Sequence, residues 1–369
     1  MFFIAVFARL ANLMFVRNNR ATHVFLDLCC KKCSYKTIIS VLITGIIIFI
    51  LKIRDSPEMY IIKWNMTENI SCHYSTEDDA LPLVDETFNP PEKSIFFHET
   101  SCRGGLSSRQ ACGVESAAKA HPDWQVNVFF SGPVSDFILK RSFLAKLLKY
   151  KNVKLMRIHL QEYAKGTPLE SLVAASPYKK SAWRIEHTSD VLRYLTLYKY
   201  GGVYMDSDFV VVKPFDDLEK NWSGRESITA VVSGVMSFSR DSLGRQMAAA
   251  TVENFKKNYN PNYWGYNGPG VITRVVKEMC FKTKKKKWIH GCNGFKVYDP
   301  EVFYPVYYKQ NRLYFEAGRN LTTSEKTYAH HMWNHLTMKY SIPKTSPYAQ
   351  LAKQYCPTVY EMYGDSFGV

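Results

Sequence analysis

Apolar positions fall into two rhythms after residue 93. The runs "SIFFHETS" (94–101), "WQVNVFFSG" (124–132) and "NVKLMRIHL" (152–160) are short, rich in aromatic and β-branched residues, and closed by polar exits. That pattern predicts β-strands. Between them, "RQACGVESAAKAHP" (109–122) spaces its apolar residues at helical period as far as Pro122, and "DFILKRSFLAKLLKY" (136–150) repeats the period. Strands alternating with helices over short connections predict an α/β fold around a parallel sheet. Ligands of such sheets sit beyond the carboxyl ends of the strands, where His98–Ser101 would lie.

A further helix is expected in "HTSDVLRYLTLYKYGG" (187–202). Ser189 or Asp190 can cap it, Val191, Leu192, Leu195 and Tyr198 form its buried face, and Gly201 or Gly202 ends it. Asp190 and Arg193, three apart, share a face of its first turn. The chain then enters "GGVYMDSDFVVVKPF" (201–215), where Asp206 and Asp208 stand between two strand-like runs. Tyr204, Asp206 and Asp208 share one parity, so extended backbone points them to one side. Two carboxylates held together at the end of a core strand require a positive partner.

The chain has 369 residues, 46% hydrophobic and 22% charged, enough for one large domain or two small ones. Its 24 Tyr and 22 Phe exclude a disordered chain. The net charge of +15 suits anionic partners, phosphates among them. The sharpest basic cluster, "FKTKKKKW" (281–288), reads as a solvated loop rather than a nucleic-acid patch.

The stretch "TIISVLITGIIIFIL" (37–51) carries no charge and is bounded by Lys36 and Lys52. A helix of that length spans ~22 Å, short for a ~30 Å hydrocarbon layer, but flanking lysines can snorkel and thinner early-secretory membranes suit it. Basic residues concentrate before it, which keeps the N-terminus cytosolic. The expected organisation is a cytosolic tail (1–36), a transmembrane signal anchor (37–53), a weakly structured stem (54–92) and a luminal domain (93–369). The sequons at Asn65, Asn69, Asn221 and Asn320 all follow the anchor, as glycosylation requires. So does an even set of six cysteines able to pair in an oxidising lumen. Of their pairings, which sequence leaves open, Cys280 with Cys292 is the favoured one.

The string "SDVLRYLTLYKYGGVYMDSDFVVVKPF" resembles the alpha-1,4-glycosyltransferase family with its DXD motif. The resemblance extends in family order through "FFHETS", "CGVESAAKAHP", "WGYNGPGVITRV", "FYPVYY", "YAHHMWN" and "QYCPT". It implies a GT-A-like nucleotide-diphospho-sugar transferase fold, with a Rossmann-like, mostly parallel sheet behind the membrane helix. It also implies a Golgi type II membrane enzyme with UDP-galactose or UDP-N-acetylgalactosamine as donor, retention of α configuration and a glycosphingolipid acceptor.

The chemistry follows from the donor. A divalent cation bridging the diphosphate neutralises the charge that develops as UDP departs, and aspartate oxygens suit Mn²⁺ or Mg²⁺. The resemblance makes Asp208 the direct ligand, places Asp206 at ribose and metal-bound water, and gives His331 as the third ligand, with His330 its local competitor. Asp190 and Arg193 would meet donor hydroxyls and phosphate, Thr100 the uridine, and Tyr204 the donor pocket. Trp264, Asn267 and Trp333 are acceptor candidates. Ser233 replaces the asparagine of galactosyl members, which leaves the donor sugar open and leans toward the N-acetylated one. A homo-oligomer or a complex with other Golgi transferases is a further implied partner. The alternatives are an alpha-1,4-N-acetylglucosaminyltransferase acting on glycoprotein glycans and a catalytically silent carbohydrate-binding homologue.

Overall fold

A computed structural model describes residues 40, 43–45, 70–75, 79–281, 288–321 and 324–368. The chain divides into two units, Met1–Glu58 and Met59–Val369. Most of the expected anchor (37–53), Asn65, Asn69 and the lysines of 282–287 lie outside the described residues. Among the described residues no helix is long and apolar enough to cross a membrane.

The second unit is built on an eight-stranded mixed sheet. Its strands are β1 (Ser94–Glu99), β2 (Gln125–Phe130), β3 (Val153–Arg157), β4 (Gly202–Met205), β6 (Trp222–Arg225), β7 (Val231–Phe238), β8 (Gly291–Cys292) and β9 (Phe295–Tyr298), in the order β3-β2-β1-β4-β7-β6-β9-β8. A separate antiparallel pair joins β5 (Phe209–Val211) to β10 (Ala329–His331). Strands β3, β2, β1 and β4 run parallel, and β4 then pairs antiparallel with β7. The chain steps outward from β1 to β3 and returns to β4 on the other side of β1. A crevice opens at such a reversal, at the carboxyl ends of β1 and β4. Near-continuous burial of β1, β2 and β7 matches a sheet covered on both faces.

Among the described residues, four helices of thirteen residues or more belong to this unit: α1 (Ser108–Ala120), α2 (Arg184–Tyr200), α3 (Ser242–Asn258) and α4 (Pro269–Phe281). Helix α1 starts on a capping box of Ser107 and Gln110. It packs so closely on the turn after β4 that a methyl group at Gly113 would lie 2.5 Å from the Ser207 carbonyl. Disulfides join Cys72 to Cys102, Cys112 to Cys356 and Cys280 to Cys292, the last being the favoured pair.

Several local expectations need correction. The helix expected over 136–150 is two short ones, Asp136–Arg141 and Leu144–Leu147, because Ser142 is extended and lets Phe143, Leu144 and Leu147 turn into the core. Helix α2 begins at Arg184, so Ser189 and Asp190 lie inside it rather than at its cap, and Tyr198 is exposed instead of buried.

The described part of the expected stem, 70–75 and 79–92, is not weakly structured. Ile70 and His73 are buried, and the Asp79 carboxylate lies 2.9 Å from Arg157 Nε. The backbone of Pro82–Val84 bonds to Arg157 along the outer edge of β3. This segment covers a sheet edge, and its polar groups serve a buried arginine rather than solvent. Asn221 is also corrected: it is 3% exposed, and its amide nitrogen is bonded to Asp241, so no glycan fits there in the folded chain. Asn320 is exposed.

Candidate active site

A cavity of about 550 Å³ opens where the reversal predicts. Helix α2 and strands β1, β4 and β7 build one wall, and the segments around Tyr304 and His331–Leu336 build the other. Of the residues singled out from the sequence, Thr100, Asp190, Arg193, Tyr204, Asp206, Asp208, Ser233, Trp264, His331 and Trp333 line it. Asn267 does not. Its amide is 1% exposed and bonds Asn260 through both backbone groups and His187 through its ring, which fastens the 260–267 loop.

The two aspartates do not sit on one extended strand. Strand β4 ends at Met205, and Asp206–Asp208 form a turn before β5. The backbone N–H of Asp206 donates to the Gly234 carbonyl (2.7 Å), and Val211 N–H donates to Ser116 Oγ of α1 (3.0 Å). Asp208 is placed by the partner segment: its carbonyl accepts from Met332 N–H and its Oδ2 from Asn334 N–H, both at 2.8 Å. Pairing of His331 with Phe209 brings His331 Nε2 to 3.1 Å from Asp208 Oδ1. Asp206, Asp208 and His331 thus present one ligand atom each within 4.8 Å of one another. His330, the competitor, points away into the core, where Nδ1 meets the Tyr314 hydroxyl.

Asp206 and Asp208 have different protein partners, Arg193 and His331. Arg193 Nη2 lies 3.2 Å from Asp206 Oδ1 and 3.3 Å from Asp190 Oδ1. Its Nη1 donates to Ser233 Oγ (2.7 Å) and to the Ser233 carbonyl (3.0 Å). Tyr204 donates to Asp206 Oδ1 at 2.5 Å, and the guanidinium lies over the Tyr204 ring. Burial pushes Asp190 up to about 7 against the pull of Arg193, and burial raises Asp206 as well. Burial also presses upward on Asp208, but His331 and the Asn334 N–H outweigh it and hold Asp208 below the ordinary carboxylate range. Burial opposes the charge of Arg193, while Asp206, Tyr204 and Asp190 outweigh it and raise its pKa.

The site fits a divalent cation. Three carboxylates, at Asp190, Asp206 and Asp208, face the cavity with one arginine, which pairs with the first two, and the buried Nδ1 of His331 has no hydrogen-bond partner among the described residues. Two carboxylates and an imidazole suit a hard to borderline divalent ion.

Sequence reasoning named Trp264, His331 and Trp333 but gave no role to the other residues that build the second wall. Arg109 of α1 is buried and donates to the carbonyls of Thr337 and Tyr340, so it pins the chain just beyond His331. Glu186 pairs with His335 Nδ1 at 3.0 Å, and Trp264 stacks on the His335 ring. Trp333 adopts a left-handed backbone (φ 56°), held there by its indole N–H on the Val306 carbonyl and by edge-on packing against His331. Glu226 and Tyr304 also line the cavity. Most of these links span a long sequence separation, so no local motif signals them.

This carboxylate–arginine–histidine arrangement at the sheet reversal matches a sugar-transferring enzyme, and comparison with known proteins agrees. A model described as "Glycosyltransferase sugar-binding region containing DXD motif" matches residues 107–227, and one described as "Alpha 1,4-glycosyltransferase conserved region" matches residues 241–363. The chain is a hexosyltransferase. It is 34% identical over 299 residues to lactosylceramide 4-alpha-galactosyltransferase of Mus musculus, covering 79% of this chain and 80% of that one. It is 30% identical over 258 residues to alpha-1,4-N-acetylglucosaminyltransferase of Homo sapiens, covering 67% and 73%. The chain therefore belongs to the alpha-1,4-glycosyltransferase family. Among solved structures, the WbbM bifunctional glycosyltransferase overlaps 77% of this chain and 53% of its own, at 12% identity and a TM-score of 0.44.

Proposed function

We propose that this chain is a retaining alpha-1,4-glycosyltransferase of GT-A-like fold. In this reading it moves galactose or N-acetylgalactosamine from a UDP-sugar to the terminal sugar of a glycosphingolipid in the Golgi lumen. The convergence of Asp206, Asp208 and His331 at the mouth of the β1–β4 crevice carries the reading. Relatives named for lactosylceramide favour the glycolipid acceptor. The luminal placement follows the apolar stretch 37–51 and the even cysteine set beyond it.

A divalent cation at the triad, Mn²⁺ in this proposal, would neutralise negative charge on the departing diphosphate. The chain's own residues do the remaining work. Arg193, clamped by Ser233 and two aspartates, keeps a fixed positive charge beside Asp206. Asp190 faces the same cavity and accepts a hydroxyl of the donor sugar. Thr100, whose hydroxyl bonds the Ile185 carbonyl, shapes the end of the cavity at β1 and receives the uridine. The acceptor oxygen bonds to the anomeric carbon as the bond from that carbon to the β-phosphate oxygen breaks. The acceptor proton passes to the departing phosphate, both on one face of the sugar.

Ser233 lies in the cavity wall, but its hydroxyl is engaged by Arg193, and a methyl group at Gly268 would press on both Ser233 and Asp190. Its influence on donor choice is therefore through the placing of Arg193. The test uses the full-length chain in detergent with UDP-galactose, UDP-N-acetylgalactosamine and UDP-N-acetylglucosamine against lactosylceramide. Transfer from either of the first two supports the proposal. Transfer from the third alone replaces it with the N-acetylglucosaminyl alternative.

A further inference from the structure

Two polar groups in the cavity are unused by the donor reading above. Tyr304 is 3% exposed, yet its hydroxyl has no hydrogen-bond partner among the described residues. Glu226 sits on the turn between β6 and β7, held there by its N–H on the Ala230 carbonyl, and no described residue bonds or pairs with its carboxylate. A buried hydroxyl left unbonded is costly, and one on a cavity wall can be completed by a ligand.

The surroundings show what kind of ligand. Gly234 separates the Tyr304 hydroxyl from Asp206: a methyl group there would stand 2.9 Å from the hydroxyl and 3.1 Å from Asp206 Oδ2. Asp206 Oδ1 is bound by Tyr204 and Arg193, whereas Oδ2 faces this gap. The ring of Tyr304 packs against His331 and Trp333, and Tyr308 packs against Trp333, so an aromatic surface lies beside the triad. A phenol, an unpaired carboxylate and an aromatic face together match a sugar ring: hydroxyls for the polar groups, C–H face for the aromatics.

We propose that Glu226, Tyr304, Tyr308 and Trp333 form the subsite for the terminal sugar of the acceptor, with Tyr304 donating to one of its hydroxyls and Glu226 accepting from another. The inference rests on the proposed function and moves acceptor recognition from the Trp264 loop to this wall. Burial raises the carboxyl of Glu226, with His331 opposing.

Tyr304→Phe and Glu226→Gln keep shape, and neither removes a bond to a described residue, so both should fold. The full-length chain in detergent is assayed with lactosylceramide and with methyl β-N-acetyllactosaminide, and UDP binding is titrated separately in Mn²⁺. Each variant should raise acceptor KM at least tenfold and move the Kd of UDP less than threefold. An unchanged acceptor KM would overturn the subsite and leave the donor reading standing, and so would a rise confined to the UDP Kd. A wild-type chain that binds UDP but uses neither acceptor would instead overturn the acceptor class and this subsite with it. Loss of UDP binding in the wild type would overturn the donor reading.

Discussion

On the α2 and β4 wall of the cavity, Ser189, Asp190, Arg193, Tyr204, Asp206 and Ser233 are bonded to one another; on the opposite wall, Glu226 and the Tyr304 hydroxyl bond no described residue. The first arrangement holds its geometry before any ligand arrives, at the cost of burying several charges. The second leaves the cost of unpaired polar groups in place until a ligand arrives. A charged donor with a leaving diphosphate needs fixed charges, whereas a neutral sugar needs hydrogen-bond partners that it can complete.

Breaking the paired wall should have the largest effect. Arg193→Ala leaves the buried Asp190 and the half-buried Asp206 without their cation, and removing one partner of a buried pair costs ~3–5 kcal/mol. Transfer should vanish and the melting temperature fall by several degrees, measured by circular dichroism beside the activity assay. A variant that melts like the wild type would show that the network contributes little to the fold.

A smaller loss is expected at His331. Its ring is one of three ligand groups, and related metal sites lose ~10–100-fold in affinity or activity for changes to supporting groups. His331→Ala should lose activity in that range and recover part of it as Mn²⁺ rises, while His330→Ala should show no such Mn²⁺ dependence. Identical Mn²⁺ curves for the two variants would remove His331 from the ligand set.

The smallest effect concerns the Glu186–His335 fastening at the cavity rim. The bond to Glu186 raises the His335 pKa, with burial opposing. A raised histidine pKa adds stability that is complete below the unfolded value near 6.5 and fades as pH rises through the folded value. The His335 side chain is 39% exposed, so the contribution stays under ~1 kcal/mol. The melting temperature of Glu186→Gln relative to wild type should be lower at pH 6 by about a degree or two and converge with it at pH 8.

These walls were unequally legible in the sequence. The alternating strands 94–160 follow from local pattern, because β-propensity acts over a few residues, whereas the turn at Asp206–Asp208 replaces the extended course expected there. The partner segment "AHHMWNH" (329–335) could be assigned only through resemblance, since its pairing with β5 spans more than a hundred residues. Arg109 and Glu226 were not legible at all, and Tyr304 lay in "FYPVYY" with no role to assign it. Each lies in a stretch that reads as ordinary helix, turn or aromatic core, and only the folded chain shows what each side chain meets. The segment 79–92 misled for the opposite reason: its polar, proline-bearing composition suits a solvated linker equally well, and only Arg157 shows why it is folded.

The central claim is that the carboxylate pair at the end of β4 and the histidine of β10 bind UDP through a divalent cation. Titration of UDP into the full-length chain with and without Mn²⁺, for wild type and Asp208→Ala, tests it without relying on the choice of sugar. The account predicts that Mn²⁺ tightens UDP binding at least tenfold in the wild type and does nothing for folded Asp208→Ala. Equal tightening in both proteins, or none in the wild type, would contradict it.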